Sequence, residues 1–257
     1  MDQNLSKFDT LIEIVAHLRG PDGCPWDRVQ THDSLKSDFM EECYEVIDAL
    51  DKKDPAKLRE EMGDVMLVIA LHSQIASEKG DFTIYDAIKG VNEKIIHRHP
   101  HVFGAATARN PGEVASQWEA LKKQERPGDD SILSGLPRAL PALTLSYEIQ
   151  KRVARVGFDW KETGGILEKV AEEVREIEKA PDAEDKAKEF GDLLFTLVNA
   201  GRHMGIDSEA SLRGANNRFS ERFAHMEKAC EKKGVELAKL SFADQNTLWE
   251  EAKKATG

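Results

Sequence analysis

A two-part acidic pattern that occurs twice constrains the fold of this chain more than any other feature. The first copy is Glu-Glu-x-x-Glu at 41–45 followed by Glu-x-x-Asp at 61–64, and the second copy lies at 172–176 and 189–192. In a helix, residues three and four positions apart share one face. The Asp-Pro step at 54–55 is typical of a helix start, with a capping residue before proline. The pattern therefore predicts two pairs of antiparallel helices, each of which gathers four carboxylates.

Other segments repeat in the same order, which indicates an internal duplication. The segment 92–98, with asparagine, a base and arginine, corresponds to 216–222, and a Trp-Glu segment at 118–122 corresponds to 249–253. No convincing strand pattern is present. We predict an all-α fold of two tandem, homologous helical bundles. The predicted segments are a first domain at 1–126, a linker at 127–137 and a second domain at 138–257.

Glycine, proline and capping residues predict where individual helices begin and end. A helix is expected from Pro55 to Lys79, closed by Gly80. The apolar run 65–70 in its middle predicts that it is buried on most sides. Two glycines and two prolines at 20–26 predict a loop without helix. Thr163 is expected to cap the helix that carries the second Glu-Glu-x-x-Glu.

The charge and cysteine content exclude several classes of function. The net charge is −11 and the pI about 5.3, so a nucleic-acid polymer is not expected as a partner. Three scattered cysteines without a CxxC pair argue against zinc and a disulfide framework. The polar N-terminus does not fit a signal peptide, and no apolar run reaches membrane length. A cytoplasmic protein with no membrane partner is expected.

The carboxylate clusters indicate a metal site. A single Glu-x-x-Glu is usually a solvated helix face, but four close carboxylates cannot all stay ionised without a cation. The donors are all oxygen, which favours Mg²⁺ or Mn²⁺. A di-iron bundle would require Glu-x-x-His pairs, which are missing.

Magnesium held by carboxylates is typical of sites that handle phosphate. Arg218 and Arg222 lie four positions apart and share a helix face, as do Lys94 and Arg98. These basic residues could contact phosphate or form ordinary surface ion pairs, and the sequence leaves both possibilities open. Trp249 and Lys253 also share a face. They could stack on a base and meet a phosphate, or form a core tryptophan with a lysine extended to solvent.

The acidic pattern, the Gly-Cys-Pro-Trp-Asp loop at 23–27 and the His-Pro-His-Val-Phe-Gly segment at 99–104 resemble the MazG family. This family of nucleoside triphosphate pyrophosphohydrolases belongs to an all-α superfamily with the dimeric dUTPases and the phosphoribosyl-ATP pyrophosphohydrolases. The resemblance covers nearly the whole chain, and the tandem arrangement is specific to full-length members. It implies Mg²⁺-dependent hydrolysis of NTPs and dNTPs to monophosphate and pyrophosphate, broad base specificity, a housecleaning role in the nucleotide pool and a homodimer.

The resemblance also implies roles for individual residues. The role of Glu172 is a separate hypothesis from its position alone: it would orient or deprotonate the attacking water. The implied metal ligands are Glu173, Glu176, Glu189 and Asp192 in the second half, and Glu42, Glu45, Glu61 and Asp64 in the first. The nucleotide contacts are Lys169, Lys188, Arg218, Arg222 and Trp249, to which the shared helix face adds Lys253.

Two alternatives and two further expectations complete this interpretation. A narrower dUTP or dCTP pyrophosphatase or a phosphoribosyl-ATP hydrolase is one alternative, and a non-catalytic helical regulator that binds nucleotide is the other.

The sequence does not decide whether the α or the β phosphorus is attacked. Apolar runs at 65–70 and 193–198 predict a face closed by a second copy. Lys188 precedes Glu189 where Glu60 precedes Glu61, so the second half should carry most hydrolysis.

Overall fold

The computed structural model describes residues 4–124 and 131–256, with all side chains in those ranges except those of residues 115, 119 and 122–124. Helices and turns make up the described residues, which contain no strand, so the all-α prediction is confirmed. The chain divides into two compact units, residues 1–127 and 128–257, here called unit 1 and unit 2. The Arg-Pro-Gly-Asp-Asp segment at 126–130, and with it the start of the predicted linker, lies outside the described residues.

Unit 1 is organised around a pair of long helices. A tight turn joins α3 (Lys36–Lys52) to α4 (Pro55–Lys79), because Lys53 adopts the left-handed conformation with φ 54°. Asp54 caps α4 by accepting hydrogen bonds from two backbone amides. Gly80, with φ 77°, ends α4 as the sequence predicts. The helices of unit 1 are α1 (Phe8–Arg19), α2 (Pro25–Val29), α3 (Lys36–Lys52), α4 (Pro55–Lys79), α5 (Ile84–Arg98), α6 (Pro100–Phe103) and α7 (Pro111–Gln124).

The core of unit 1 lies where α1, the start of α3 and the C-terminal half of α4 meet. Its buried side chains are Val15, Leu35, Ala70, Leu71 and Ile75. Part of the α4 surface is less protected than the sequence predicts.

That less protected surface of α4 is apolar. Met62, Met66 and Ile69 are 51%, 40% and 37% exposed, so α4 is not buried on most sides. The structure also contains a short helix, α2, in the segment for which the sequence predicts only a loop. Proline is well suited to the first position of a helix, and Pro25 occupies that position in α2.

Unit 2 repeats the paired-helix arrangement with a different connection. A short segment joins α9 (Thr163–Lys179) to α10 (Ala183–His203). Asp182 caps α10 by accepting a hydrogen bond from the Asp185 amide at 2.9 Å. Thr163 is the first residue of α9 rather than its cap, and Glu162 at the cap makes no side-chain hydrogen bond there; the expected threonine cap is wrong. The helices are α8 (Ala142–Ala154), α9 (Thr163–Lys179), α10 (Ala183–His203), α11 (Ser208–Lys233) and α12 (Phe242–Thr256), with a 3₁₀ turn (Leu237–Lys239).

The packing of unit 2 falls into two regions. In the first, α10 packs against α9 and α8. In the second, α11 packs against α12 around Met226, Cys230, Leu248 and Ala252. Among the helices within 4–124 and 131–256, none has the length and apolar character of a membrane span.

Candidate metal centres

The first carboxylate group lies between α3 and α4. Glu42 and Glu45 on α3 and Glu61 on α4 each place one oxygen within 4.8 Å of the others. Glu61 is the buried member, with 1% of its surface exposed. Burial, and then the negative charge of Asp64, raises the pKa of Glu42. Asp64 is therefore near the group electrostatically but lies outside the set of three.

A lysine on α4 neutralises part of this first group. Lys57 lies one turn before Glu61 and contacts its carboxylate, and its ammonium is also 3.6 Å from Glu45 Oε2 on α3. The hydrogen bond from Lys57 lowers the pKa of Glu61 although burial opposes this, and the same bond raises the pKa of Lys57. An ammonium group thus links the carboxylates of both helices in unit 1.

The second carboxylate group lies between α9 and α10. Glu173 on α9 and Glu189 and Asp192 on α10 bring oxygens within 4.8 Å of one another. Here the buried member is Glu173, which is 3% exposed. Burial is the largest cause that raises the pKa of Glu189, followed by the negative charges of Glu176, Glu173 and Asp192. Glu176 lies outside the set of three but within its field.

The lysine of unit 2 interacts only with its own helix among the carboxylates that the structure describes. Lys169 Nζ lies 2.8 Å from both Glu172 Oε1 and Glu173 Oε1 and 3.7 Å from Glu176 Oε2, all on α9. Glu189 and Asp192 on α10 have no ion-pair partner among the residues that the structure describes.

Two further predicted residues lie at the edge of this group. Glu172 is half-exposed, and its hydrogen bond from Lys169 lowers its pKa, so it is a carboxylate at neutral pH. Lys188 is 60% exposed and pairs with Glu184 and Asp185 at 3.2 and 3.1 Å on its own helix. Lys188 is thus paired along α10 rather than with the three clustered carboxylates.

The remaining predicted nucleotide contacts lie together on α11 and α12. The Trp249 ring packs against the core of that region, with Phe219 at 5.1 Å between ring centres. The Arg222 guanidinium lies 5.9 Å from the centre of the Trp249 ring. Lys253 pairs with Glu250 at 2.7 Å, and Arg218 is exposed. In this structure, Trp249 supports Arg222 and contributes to apolar packing.

Sequence reasoning missed a cavity of about 890 Å³ in unit 2. It is bordered by α8, α9, α10 and the loop 157–162, and Lys169 forms part of its wall. Sequence reasoning also missed that each carboxylate group contains a lysine one helical turn before its buried glutamate. The signal was present, because Lys57 and Lys169 each lie four residues before the buried glutamate of their group.

Comparisons with known proteins identify relatives over nearly the full chain. Residues 30–103 match the family described as the MazG nucleotide pyrophosphohydrolase domain. The chain is 46% identical over 247 residues to the nucleoside triphosphate pyrophosphohydrolase/pyrophosphatase MazG of Thermotoga maritima, covering 96% of this chain and 95% of that protein. It is 38% identical to the nucleoside triphosphate pyrophosphohydrolase of Escherichia coli K12, covering 97% and 98%. It is 44% identical to the uncharacterized protein YabN of Bacillus subtilis, of which it covers 52%.

Each unit contains a pair of helices that brings together one buried glutamate and two further carboxylates. The chain is therefore an all-α protein with two candidate divalent-metal centres. The 46% identity to the Thermotoga maritima protein extends over nearly the full length of both chains, and this is sufficient to assign the family. The chain belongs to the MazG family, and the resemblance inferred from the sequence is confirmed.

Proposed function

We propose that this chain hydrolyses nucleoside triphosphates and deoxynucleoside triphosphates to the monophosphate and pyrophosphate. The observation that carries the proposal is the group of Glu173, Glu189 and Asp192, in a chain of the MazG family. Two relatives that match it over nearly their full length are named for this activity. We further propose that the activity tolerates several bases, serves the nucleotide pool, and acts in the cytoplasm, where these nucleotides are used.

The donor atoms of the second group fit Mg²⁺, with Mn²⁺ as a substitute. Three carboxylate oxygens within 4.8 Å offer oxygen ligands alone, which suits hard cations. Burial, followed by the negative charges of Glu176, Glu173 and Asp192, raises the pKa of Glu189, so a bound cation would stabilise its ionised form. We propose Glu173, Glu189, Asp192 and the neighbouring Glu176 as ligands. When bound, the cation would polarise the phosphoryl group and bind the water that attacks it.

The chain's own residues would orient this site and move the proton. Lys169 holds Glu173 and Glu172 at 2.8 Å each, so both carboxylates have fixed positions on α9. Glu172 is ionised and half-exposed at the edge of the group. We propose that it orients the attacking water and accepts its proton, which general acid–base catalysis requires of a positioned carboxylate.

The basic residues would bind the substrate phosphates. We propose this role for Lys188, Arg218, Arg222 and Lys253, because a triphosphate keeps net negative charge when a divalent cation is bound to it. Trp249 would hold the Arg222 guanidinium beneath the phosphates through the observed ring contact.

Unit 1 supplies the second set of proposed ligands, Glu42, Glu45, Glu61 and Asp64. We propose that residues 1–126 and 138–257 form two domains of the same type, joined by 127–137. Apolar side chains remain exposed on α4, and Phe190, Leu194 and Leu197 are 54%, 41% and 46% exposed on α10. We propose that a second copy covers such faces in a homodimer, which light scattering would test; we expect neither nucleic acid nor membrane as a partner.

The test of the proposed function is product identity. The protein is incubated with ATP and Mg²⁺, and we expect AMP and pyrophosphate in equal amounts, with loss of turnover in chelator. Glu189→Gln should lose turnover because it removes a clustered carboxylate. Glu184→Gln, at a position that is 83% exposed on the same helix, is the matched control and should keep it. ADP with orthophosphate would contradict the proposal, and ATP binding without turnover would favour a non-catalytic regulator.

A further inference from the structure

The cavity of unit 2 is large enough for a nucleoside and has the wall composition of a ligand site. Its volume is about 890 Å³, within the range of small-molecule pockets. Ile149 and Val153 on α8 and Phe195 on α10 form apolar walls. Such sites are mostly apolar with a few fixed polar groups that choose the ligand.

One polar group in this cavity has no partner among the described residues. Gln150 is 4% exposed and lines the cavity. Its Nε2 donates a hydrogen bond to the Phe195 carbonyl oxygen at 2.7 Å, whereas its Oε1 is buried and accepts no hydrogen bond from any described residue. Because the Phe195 carbonyl oxygen can only accept, the amino group of Gln150 must face it, and this fixes the orientation of the carboxamide. The cavity wall therefore includes a buried, unsatisfied acceptor, which a ligand N–H would satisfy.

A second carboxamide in the wall has the opposite polarity. Asn199 Oδ1 accepts hydrogen bonds from Arg202 Nε at 3.2 Å and from a terminal Arg202 nitrogen at 2.8 Å. Its oxygen is therefore engaged by the guanidinium, and its amino group remains as a donor. The wall offers one acceptor and one donor, and the Watson–Crick edge of each common nucleobase carries the complementary pair.

An aromatic ring forms the side of the cavity nearest α9. Trp160 lies against the helix at Gly165, where a Cβ atom would approach the ring to 2.8 Å. The loop beneath it is anchored, since Asp159 accepts hydrogen bonds from Arg202 at 2.5 Å and from the Trp160 amide at 2.9 Å. Nearly half of the tryptophan surface is exposed. Bases stack readily on such rings.

Lys169 connects the cavity wall to the candidate metal centre. Lys169 lines the cavity and lies 2.8 Å from Glu173, the buried carboxylate of the second group. A nucleotide whose base occupied the cavity would direct its phosphates past Lys169 towards the carboxylates.

We propose that this cavity binds the base of the nucleoside triphosphate, and that Gln150 determines specificity by accepting a hydrogen bond from a base N–H. This inference rests on the proposed function, because it assigns the base of the same substrate. Trp160 stacks on the base and the Asn199 amide donates to its acceptor. All common bases fulfil this requirement, so the site accepts several bases and rejects analogues that lack the N–H.

The test compares ATP with purine riboside triphosphate, which lacks the exocyclic amino group of adenine. For the wild-type protein, kcat/KM should favour ATP by about tenfold or more, because a site built around a hydrogen bond discriminates strongly against its loss. Gln150→Met should bring the ratio close to one. Gln245→Met is the matched control, because the Gln245 amide also donates to a backbone carbonyl, of Leu237 at 3.0 Å, away from the cavity; it should keep the wild-type ratio.

Two further measurements keep the result decisive if Gln150→Met does not fold. The first is the ratio of kcat/KM for ATP to that for purine riboside triphosphate in the wild-type protein, which needs no variant. The second is Trp160→Ala, which should raise KM for all nucleotides. A wild-type ratio near one, or a KM unchanged in Trp160→Ala, would overturn the inference while hydrolysis stood. Calorimetry with adenosine, without metal, tests the cavity alone. Adenosine binding in a protein without hydrolysis would support the cavity and reject the proposed function.

Discussion

The two units carry the same carboxylates but place their lysine on opposite helices. In unit 1 the lysine is on α4, pairs with the buried Glu61 and reaches Glu45 on α3. In unit 2 it is on α9 and pairs with that helix alone among the described carboxylates. An ammonium group within ion-pair distance of carboxylates on both helices takes the electrostatic role of a cation. Unit 1 therefore resembles a site stabilised by its own lysine, and unit 2 a site open to a metal ion.

The largest expected effect separates the two units by activity. In the full-length protein, Glu189→Gln should reduce NTP turnover by roughly 100-fold or more, because loss of groups even outside the ligand shell costs up to about 100-fold. The matching change in unit 1, Glu61→Gln, should reduce turnover by no more than about twofold if unit 2 does most of the hydrolysis. Pyrophosphate release under saturating Mg²⁺ measures both. Equal losses would show that the units work equally, and a larger loss in Glu61→Gln would reverse their order.

A second change sharpens the comparison by removing the lysine of unit 1. Lys57→Met leaves Glu42, Glu45 and Glu61 without their ammonium group, so the metal-free protein should melt several degrees lower because the carboxylates repel. Added Mg²⁺ or Mn²⁺ should restore more of the Tm than in the wild type, since binding to the folded state alone stabilises it. Thermal melts with metal and with chelator measure this difference. Lys52→Met, an exposed lysine paired along α3, is the control and should respond to metal as the wild type does.

The smallest expected effect is a pH dependence confined to unit 1. His32 and His72 face each other with Nδ1 atoms 2.9 Å apart, and burial, followed by the charge of His32, lowers the pKa of His72. The fold disfavours protonated His72, so the unfolded chain binds more protons. The stability that neutral His72 contributes is complete above the unperturbed pKa of about 6.5 and falls as the pH drops below it. Ala200 occupies the corresponding position of α10.

Hydrogen exchange of the α4 and α10 amides, corrected for intrinsic rates and measured at pH about 5.5 and about 7.5, resolves the two units. Protection in α4 should fall at the lower pH and protection in α10 should not. His72→Gln should remove most of the change in α4. The same acid loss in both helices would mean that other groups cause it.

Much of the fold could be predicted because helix ends depend on local chemistry. The predicted bounds Pro55 and Lys79 match α4, since an Asp-Pro start and a glycine end act through neighbouring backbone groups. The prediction that Thr163 is a cap was wrong by one position. The helix begins at Thr163 itself, so Glu162 occupies the cap position. Local rules identify a capping residue more reliably than its position.

The site was predictable in composition and less so in detail. Periodicity placed the carboxylates on shared faces, and the structure brings three of each four within 4.8 Å. Which carboxylate is buried, Glu61 or Glu173, depends on packing between helices, and so does the choice of partner for Lys57. The cavity beside Gln150 lies between three helices and a loop. No local sequence pattern encodes such a cavity, because its shape depends on how distant segments pack.

The opposite placement of the lysines has a consequence for how a duplicated chain folds. Tandem copies of one motif risk pairing a helix with the wrong partner while they fold. If α3 packed against α10, the positions one turn before their glutamates would be Asp38 and Asp185, and the carboxylates would meet with no ammonium. If α9 packed against α4, two ammonium groups would compete for one set of carboxylates. Only the native hairpins place a single lysine one turn before a clustered glutamate, so the charges distinguish each helix's correct partner from its near copy.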